Sequence, residues 1–305
     1  MYYTVTLNPA IDMLVSSKDF LEGKLNRTDE AKYVVGGKGI NISILLNNIE
    51  KETCALGYVA GFTGEFIKNE LKRRGVKEDF VETFGTTRIN IKLTTTTETE
   101  INTASSSVDK KNIAEFLQKL EKLSANDTVF LSGNIISGMT TYDFVKIAEI
   151  IYNSSATLVV DSNKDLVLQT LKYKPFIVKP NEFELGEMFG VEIKTLDDIL
   201  TYANKLKDLG AKNVLVSRGK DGAVLVTENN DVYTVDVAKG KIISTVAAGD
   251  SMLAMFVAKY DETNNFEESL RYASAAGGAT SFSVGVGEKD LIESLVNEIK
   301  VEKIK

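Results

Sequence analysis

Asp250 is the residue best placed to do chemistry. It closes the turn Ala247-Ala248-Gly249-Asp250, which follows a β-prone run, Ile242-Ile-Ser-Thr-Val246, and opens a helical stretch through Ala258. Small residues at the turn let ligand atoms approach backbone N–H groups. The first N–H donors of the helix are unpaired, and the positive end of its dipole points the same way. Such a place suits an anionic, phosphate-like group. A carboxylate repels a phosphate, so Asp250 must serve something beyond binding, and the simplest service is to take a proton from an attacking hydroxyl. The competing reading is that Asp250 caps the helix, a common use of Asp.

Four further clusters bear on this chemistry. Gly36-Gly37-Lys38-Gly39-Ile40-Asn41 precedes the helical pattern Ile42 to Asn48. Three glycines in four positions signal close backbone approach or positive φ, and Lys38 among them offers an ammonium to an anion; a plain strand-to-helix turn is the alternative. Lys179-Pro180-Asn181-Glu182-Phe183-Glu184 sits where a strand gives way to a helix. Asn181 and Glu184, three apart, form either a capping box or a pair that orders Mg²⁺ through water. Ser217-Arg218-Gly219-Lys220-Asp221-Gly222 joins two strands and reads as a hairpin turn. Ala275-Ala-Gly-Gly-Ala-Thr-Ser281, on an expected helix, permits either close helix packing or a flat ligand such as a purine. Neither G-x-G-x-x-G nor G-x-x-x-x-G-K-[ST] occurs, so any nucleotide is held in another way.

Composition narrows the chemistry. The chain has no His, which removes Ser-His-Asp triads and His-ligated metals and leaves carboxylates, Lys and backbone dipoles. Net charge is 36 − 43 = −7, against a nucleic-acid partner, which needs a basic face. Cys54 is the single cysteine, so there is no internal disulfide. No apolar stretch has the length of a signal peptide or a membrane span, and the expected location is cytoplasmic, with no membrane partner.

The elements that must position these residues alternate. Tyr2 to Leu7, Thr128 to Ser132, Ala156 to Asp161, Phe176 to Lys179, Asn213 to Ser217 and Ala223 to Thr227 are short β-branched runs bounded by turn residues. Asn112 to Leu123, Thr141 to Tyr152 and Leu196 to Leu209 have helical spacing. This repetition predicts a mostly parallel sheet with helices on both faces, in one large α/β domain. Ile11 to Val35 and Thr87 to Thr103 break the rhythm, being polar and weakly alternating; they read as antiparallel strand pairs forming a small β appendage.

In register along nearly the whole chain, Thr4-Val-Thr-Leu-Asn-Pro9 with Asp12, Gly36 to Asn41, Lys179 to Glu184, Ser217 to Gly222 and Ala247 to Asp250 resemble the phosphofructokinase-B branch of the ribokinase-like sugar kinases. Within that family the opening Tyr3 to Pro9, Gly61-Phe-Thr-Gly64, Thr87-Arg-Ile-Asn-Ile-Lys92 and Glu100-Ile-Asn102 are most similar to the 1-phosphofructokinases. The resemblance implies a ribokinase-like three-layer α/β/α sandwich in a single domain, residues 1–305, with a β lid from about 11–35 and 87–105 that also makes a homodimer contact. It implies ATP and Mg²⁺ as cofactors and conversion of fructose 1-phosphate to fructose 1,6-bisphosphate. The alternatives are a tagatose-6-phosphate kinase of the same family or a sugar-phosphate sensor without turnover. By the same likeness Asp250 is the base, and the amides of Ala247, Ala248, Gly249 and Asp250 form the anion hole. Asp12, Gly37, Asn41 and Asn134 take the sugar, and Lys38, Arg27 and Arg88 take its existing phosphate. Lys179, Asn181 and, for Mg²⁺, Glu184 serve the ATP phosphates. Ser217, Arg218, Gly219, Lys220, Asp221 and Gly222, with Gly278 and Ser281, surround the nucleotide. Ala247 stands where the family usually has Gly; a positive φ there would cost Ala on the order of 1 kcal/mol.

Overall fold

The computed structural model describes residues 1–17, 20–28 and 30–305, with the Glu98 side chain also outside the description. Lys18, Asp19 and Asp29, within the expected lid, therefore lie outside the described residues. The first half of the chain forms β1 (Tyr2–Thr6), β2 (Ala10–Ser16), β3 (Ala31–Gly36), α1 (Lys38–Asn48), β4 (Thr53–Ala60), α2 (Gly61–Arg73), β5 (Lys77–Glu78), β6 (Val81–Thr83), β7 (Arg88–Thr94), β8 (Glu98–Ile101), α3 (Lys110–Leu120), β9 (Thr128–Ser132) and α4 (Thr141–Asn153). The second half continues with β10 (Thr157–Asp161), α5 (Lys164–Thr170), β11 (Ile177–Val178), α6 (Glu182–Phe189), α7 (Leu196–Asp208), β12 (Asn213–Ser217), β13 (Ala223–Val226), β14 (Val232–Val235), α8 (Ala248–Thr263), α9 (Phe266–Ser281), α10 (Lys289–Val296) and β15 (Val301–Lys303).

The main sheet runs β15-β14-β13-β12-β11-β10-β9-β1-β4-β5, with β6 also on β4. Pairing is parallel from β12 through β4 and antiparallel among β12 to β15. Alternation along each strand splits the core into two layers. Val129, Leu131, Leu158 and Val160 pack with Phe116, Phe144, Ile147 and Leu206 from α3, α4 and α7. Phe130 and Val159, one residue out of phase, pack with Ile42, Leu45, Leu253, Phe256 and Leu270 from α1, α8 and α9. Successive side chains point to opposite faces, so both faces need helices, and the expected three-layer α/β/α sandwich results. A separate four-stranded sheet, order β3-β2-β7-β8, joins the two insertions that break the strand-helix rhythm. β2 pairs antiparallel with β3, β7 antiparallel with β8, and β2 with β7 in parallel. Among the described residues no helix is long and apolar enough to cross a membrane.

One expectation fails. The β-prone run Ile242 to Val246 is not a strand: Ile243 N–H and Ser244 N–H both donate to the Ser281 carbonyl, and Ile242 and Ile243 are 63% and 54% exposed. β-propensity reports fit to a half-buried pleated surface, and among the described residues no strand pairs with this segment to supply one. The strand expected over Phe176 to Lys179 is trimmed to β11, since Lys179 precedes a proline, which cannot donate to a ladder.

Candidate active site

Thr6, Ser132 and Asp161 end β1, β9 and β10, and the parallel register sets Thr6 beside Ser132 and Ser132 beside Asp161. Three buried polar side chains thus stand in a row at the carboxyl edge, where open α/β sheets bind ligands. Helix α1 lands on the same edge. Its N-cap Gly37 has φ 125°, and a Cβ on Gly39 would stand 2.8 Å from the Val5 carbonyl oxygen, so the helix seats only with bare backbone there. That seating delivers Lys38 and Asn41. Lys38 Nζ donates to Asp161 Oδ1 at 2.6 Å, and Asn41 Nδ2 donates to Asp250 Oδ2 at 2.7 Å. Lys179, just past β11, places Nζ 3.2 Å from Asp161 Oδ2, close enough for an ion pair but not aligned for a hydrogen bond.

Helix α8 opens at Ala247, with φ 65° and ψ −1° and no side-chain cap. The positive φ anticipated at this position is present, in a residue that carries a Cβ. Asp250 lies in the first turn but turns to Asn41, so the helix-cap reading of this carboxylate does not describe it. The Asp250 carboxyl is buried, and burial pushes its pKa up; repulsion from Asp161 adds to this, while Lys38, the Asn41 hydrogen bond and Lys179 oppose the rise without cancelling it. Asp161 goes the other way. Burial disfavours its charge, but the Lys179 and Lys38 ammonium groups outweigh burial and hold it below the usual carboxylate range. Burial disfavours the Lys38 charge too, yet Asp161 and Asp250 raise its pKa and keep it protonated. The edge therefore holds one carboxylate whose charge the lysines favour and one whose charge burial disfavours.

On the side of the small sheet, Asp12 and Asn90 are register partners on β2 and β7, and Asn90 Nδ2 donates to Asp12 Oδ1 at 2.9 Å. Arg88 Nη2 donates to the Asn8 carbonyl at 3.2 Å. The Thr6 hydroxyl, Asn8 Oδ1, Arg88 Nε, Asn90 Oδ1, the Ser132 hydroxyl and Asp161 Oδ2 are buried without a hydrogen-bond partner in the protein. Buried polar atoms are nearly always paired, so these unpaired atoms make this region the candidate site for a polar ligand.

Most of the remaining expected residues have structural partners. Asn181 and Glu184 form the capping box of α6, Glu184 N–H donating to Asn181 Oδ1 at 2.7 Å and Asn181 N–H to Glu184 Oε2 at 2.9 Å. Ser217 to Gly222 is the link between antiparallel β12 and β13, with Gly219 and Gly222 at positive φ and Arg218 Nε bonded to Glu182 Oε1 at 3.0 Å. Lys220 and Asp221 lie in that turn. Gly278 packs on Ala238, and the Ser281 hydroxyl donates to the Gly277 carbonyl. Asn134 Oδ1 accepts from Asn163. Arg27 is exposed and, among the described residues, has no ion-pair partner. Lys38, Asn41, Lys179, Gly249 and Asp250 are gathered at one point, whereas Arg88 and Asp12 sit with the small sheet. Lys38 bonds to Asp161 and Arg88 to the Asn8 carbonyl. Asp161 and Asn90 were missed as site residues; the signal available for Asp161 was a carboxylate as the last residue of a parallel strand.

A model of the pfkB family carbohydrate kinases matches residues 5–292. The chain belongs to that family. It is 41% identical to the 1-phosphofructokinase of Bacillus subtilis (strain 168), over all of both chains. It is 36% identical to the D-tagatose-1-phosphate kinase of Bacillus licheniformis, over 99% of each. The crystal structure of Escherichia coli phosphofructokinase-2 in complex with substrates and products superposes with a TM-score of 0.92 at 24% identity, covering 97% of this chain and 98% of that one, a likeness of fold.

Proposed function

We propose that this pfkB-family enzyme transfers the γ-phosphoryl group of ATP to the 6-hydroxyl of fructose 1-phosphate, giving fructose 1,6-bisphosphate and ADP. The observation that carries the reading is the buried Asp250 at the N-terminus of α8, bonded to Asn41 and flanked by Lys38, with its pKa raised. Asp250 takes the hydroxyl proton as that oxygen bonds to the γ-phosphorus. The bond to the β–γ bridging oxygen breaks, and ADP departs with the electron pair. Amides of Ala247 to Asp250, with Lys38 and Lys179, stabilise charge on the transferring group, the main task in phosphoryl transfer. Asp12, Asn90 and Asn41 orient the sugar, and Arg88, assisted by Arg27, holds its 1-phosphate.

The loops at Ser217 to Gly222 and near Gly278 and Ser281 flank the nucleotide, with exposed Ile243, Val246 and Val284 as apolar surface for its base. Glu184 commits Oε2 to the helix cap, so a water-mediated role toward Mg²⁺ on the ATP phosphates falls to its other hard oxygen donor. That ion would supply charge neutralisation. The four-stranded sheet acts as the lid, reducing transfer to water. Its exposed Tyr33 and Ile101 suit a homodimer contact. The relative named D-tagatose-1-phosphate kinase supports a second reading, the C4 epimer as acceptor. A coupled ADP-release assay with fructose 1-phosphate, tagatose 1-phosphate, fructose 6-phosphate and tagatose 6-phosphate tests both. The highest kcat/KM belongs to fructose 1-phosphate, and turnover with none of the four would refute the assignment.

A further inference from the structure

Lys38 and Lys179 reach Asp161 from different elements, the start of α1 and the segment after β11. Asp161 itself is fixed at the end of a central strand and is 1% exposed; Lys179 is 6% exposed. A buried ion pair offsets its desolvation cost only where good geometry and further hydrogen bonds satisfy the remaining lone pairs of its carboxylate. Here Oδ1 takes the Lys38 hydrogen bond, while Oδ2 has only the Lys179 ammonium at 3.2 Å, an ion pair without hydrogen-bond alignment. On the next strands of the edge the Ser132 and Thr6 hydroxyls are buried and unpartnered as well. The local charges are Lys38 and Lys179 against Asp161 and Asp250, 2 − 2 = 0. An anion entering this neutral group needs the lysines free to turn to it.

We infer that Asp161 is a place-holder for a ligand's negative charge: it keeps Lys38 and Lys179 paired and positioned until a phosphoryl group takes them over. This rests on the reading that these lysines serve phosphoryl groups. The strand end stays rigid, and the two flexible lysine heads exchange partners. Asp161 is thus a positioning residue that acts through Lys38 and Lys179. Without it the half-buried Lys38 and the buried Lys179 face only Asp250, a local excess of positive charge that a bound anion relieves.

The test is thermal melting of the full chain, wild type against Asp161→Asn, in chloride and in inorganic phosphate at matched ionic strength. General salting effects act on both proteins and cancel in the difference. The variant melts lower in chloride, and phosphate shrinks that deficit by about half or more, because an anion bound by the folded state replaces the missing carboxylate. A deficit equal in the two buffers means Asp161 is purely structural and overturns the inference. Steady-state kinetics add a second readout. Asp161→Asn keeps or lowers KM for ATP while kcat falls, whereas a raised KM for ATP means Asp161 itself supports nucleotide binding and overturns the place-holder role. If Asp161→Asn does not fold, Asp161→Asn with Lys38→Met removes one unpaired ammonium, restores folding and retains a phosphate-dependent gain through Lys179. A double variant that stays unfolded, or ignores phosphate, contradicts the inference. A wild type inactive on every sugar phosphate would sink the proposed reaction yet leave the melting comparison fully readable.

Discussion

Replacing Ala247 with Gly should stabilise the protein, although it removes atoms. Ala247 holds φ 65° and ψ −1° as the N-cap of α8, in the left-handed region that costs a residue with a Cβ about 1–2 kcal/mol. Glycine adopts this conformation without that penalty but loses about 0.5–1 kcal/mol more chain entropy on folding. Ala247 is only half-buried, so little packing is lost with its methyl group. The balance is a gain of about 0.5–1 kcal/mol, which for a chain of this size is roughly 1–3 °C in Tm. Differential scanning calorimetry with denaturant unfolding measures it, and kcat checks that the anion turn keeps its shape. A lower Tm for Ala247→Gly would refute the strain argument and mean that the methyl group makes a contact worth more than the backbone penalty.

Other outcomes follow from the same geometry. The Asn41 hydrogen bond lowers the Asp250 pKa, so Asn41→Ala raises it further; activity lost as pH falls is then lost sooner, and the acid limb of kcat/KM moves to higher pH, where no movement or a downward one contradicts the contact. In wild type that limb already lies above the ordinary Asp value of about 3.9, since burial and Asp161 raise the pKa. Arg88→Ala raises KM for the sugar phosphate far more than KM for ATP, by the loss of a charge-assisted contact of about 1.5–3 kcal/mol; equal effects on both would move Arg88 off the acceptor side. Gly39→Ala drives a Cβ to 2.8 Å from the Val5 carbonyl oxygen and destabilises by about 1–3 kcal/mol, read as a lower denaturant midpoint. Light scattering gives the mass of two chains, and a monomer would remove the homodimer contact.

The layers of the fold were legible because their signal is local. Val129-Phe130-Leu131 and Leu158-Val159-Val160 alternate between two helical layers, a pattern fixed by the pleat of the strand itself. The turn before α8 was legible for the same reason, as glycine and alanine beside a helix start. What escaped was long-range. Asp161 reads as one more strand residue until register sets it beside Ser132 and seats Lys38 and Lys179 on it, 123 residues from the first of these in sequence. Asn90 gains its role only when β7 pairs with β2 and meets Asp12. Ile242 to Val246 misled because its β-branched side chains describe a preference for a sheet that, among the described residues, no neighbouring strand supplies. Asn181 and Glu184 carry a double signal because one spacing serves both a helix cap and a ligand pair; the cap they form occupies Glu184 Oε2.

The central claim is that Asp250 acts as the base, and Asp250→Asn tests it most directly. The substitution keeps the shape of the side chain and its contact with Asn41 while removing the proton acceptor. With folding verified by circular dichroism, steady-state kinetics on fructose 1-phosphate and ATP should show kcat lowered by about 10²–10⁴ and both KM values within a few-fold of wild type. A folded Asp250→Asn enzyme with near-parental kcat would contradict the account.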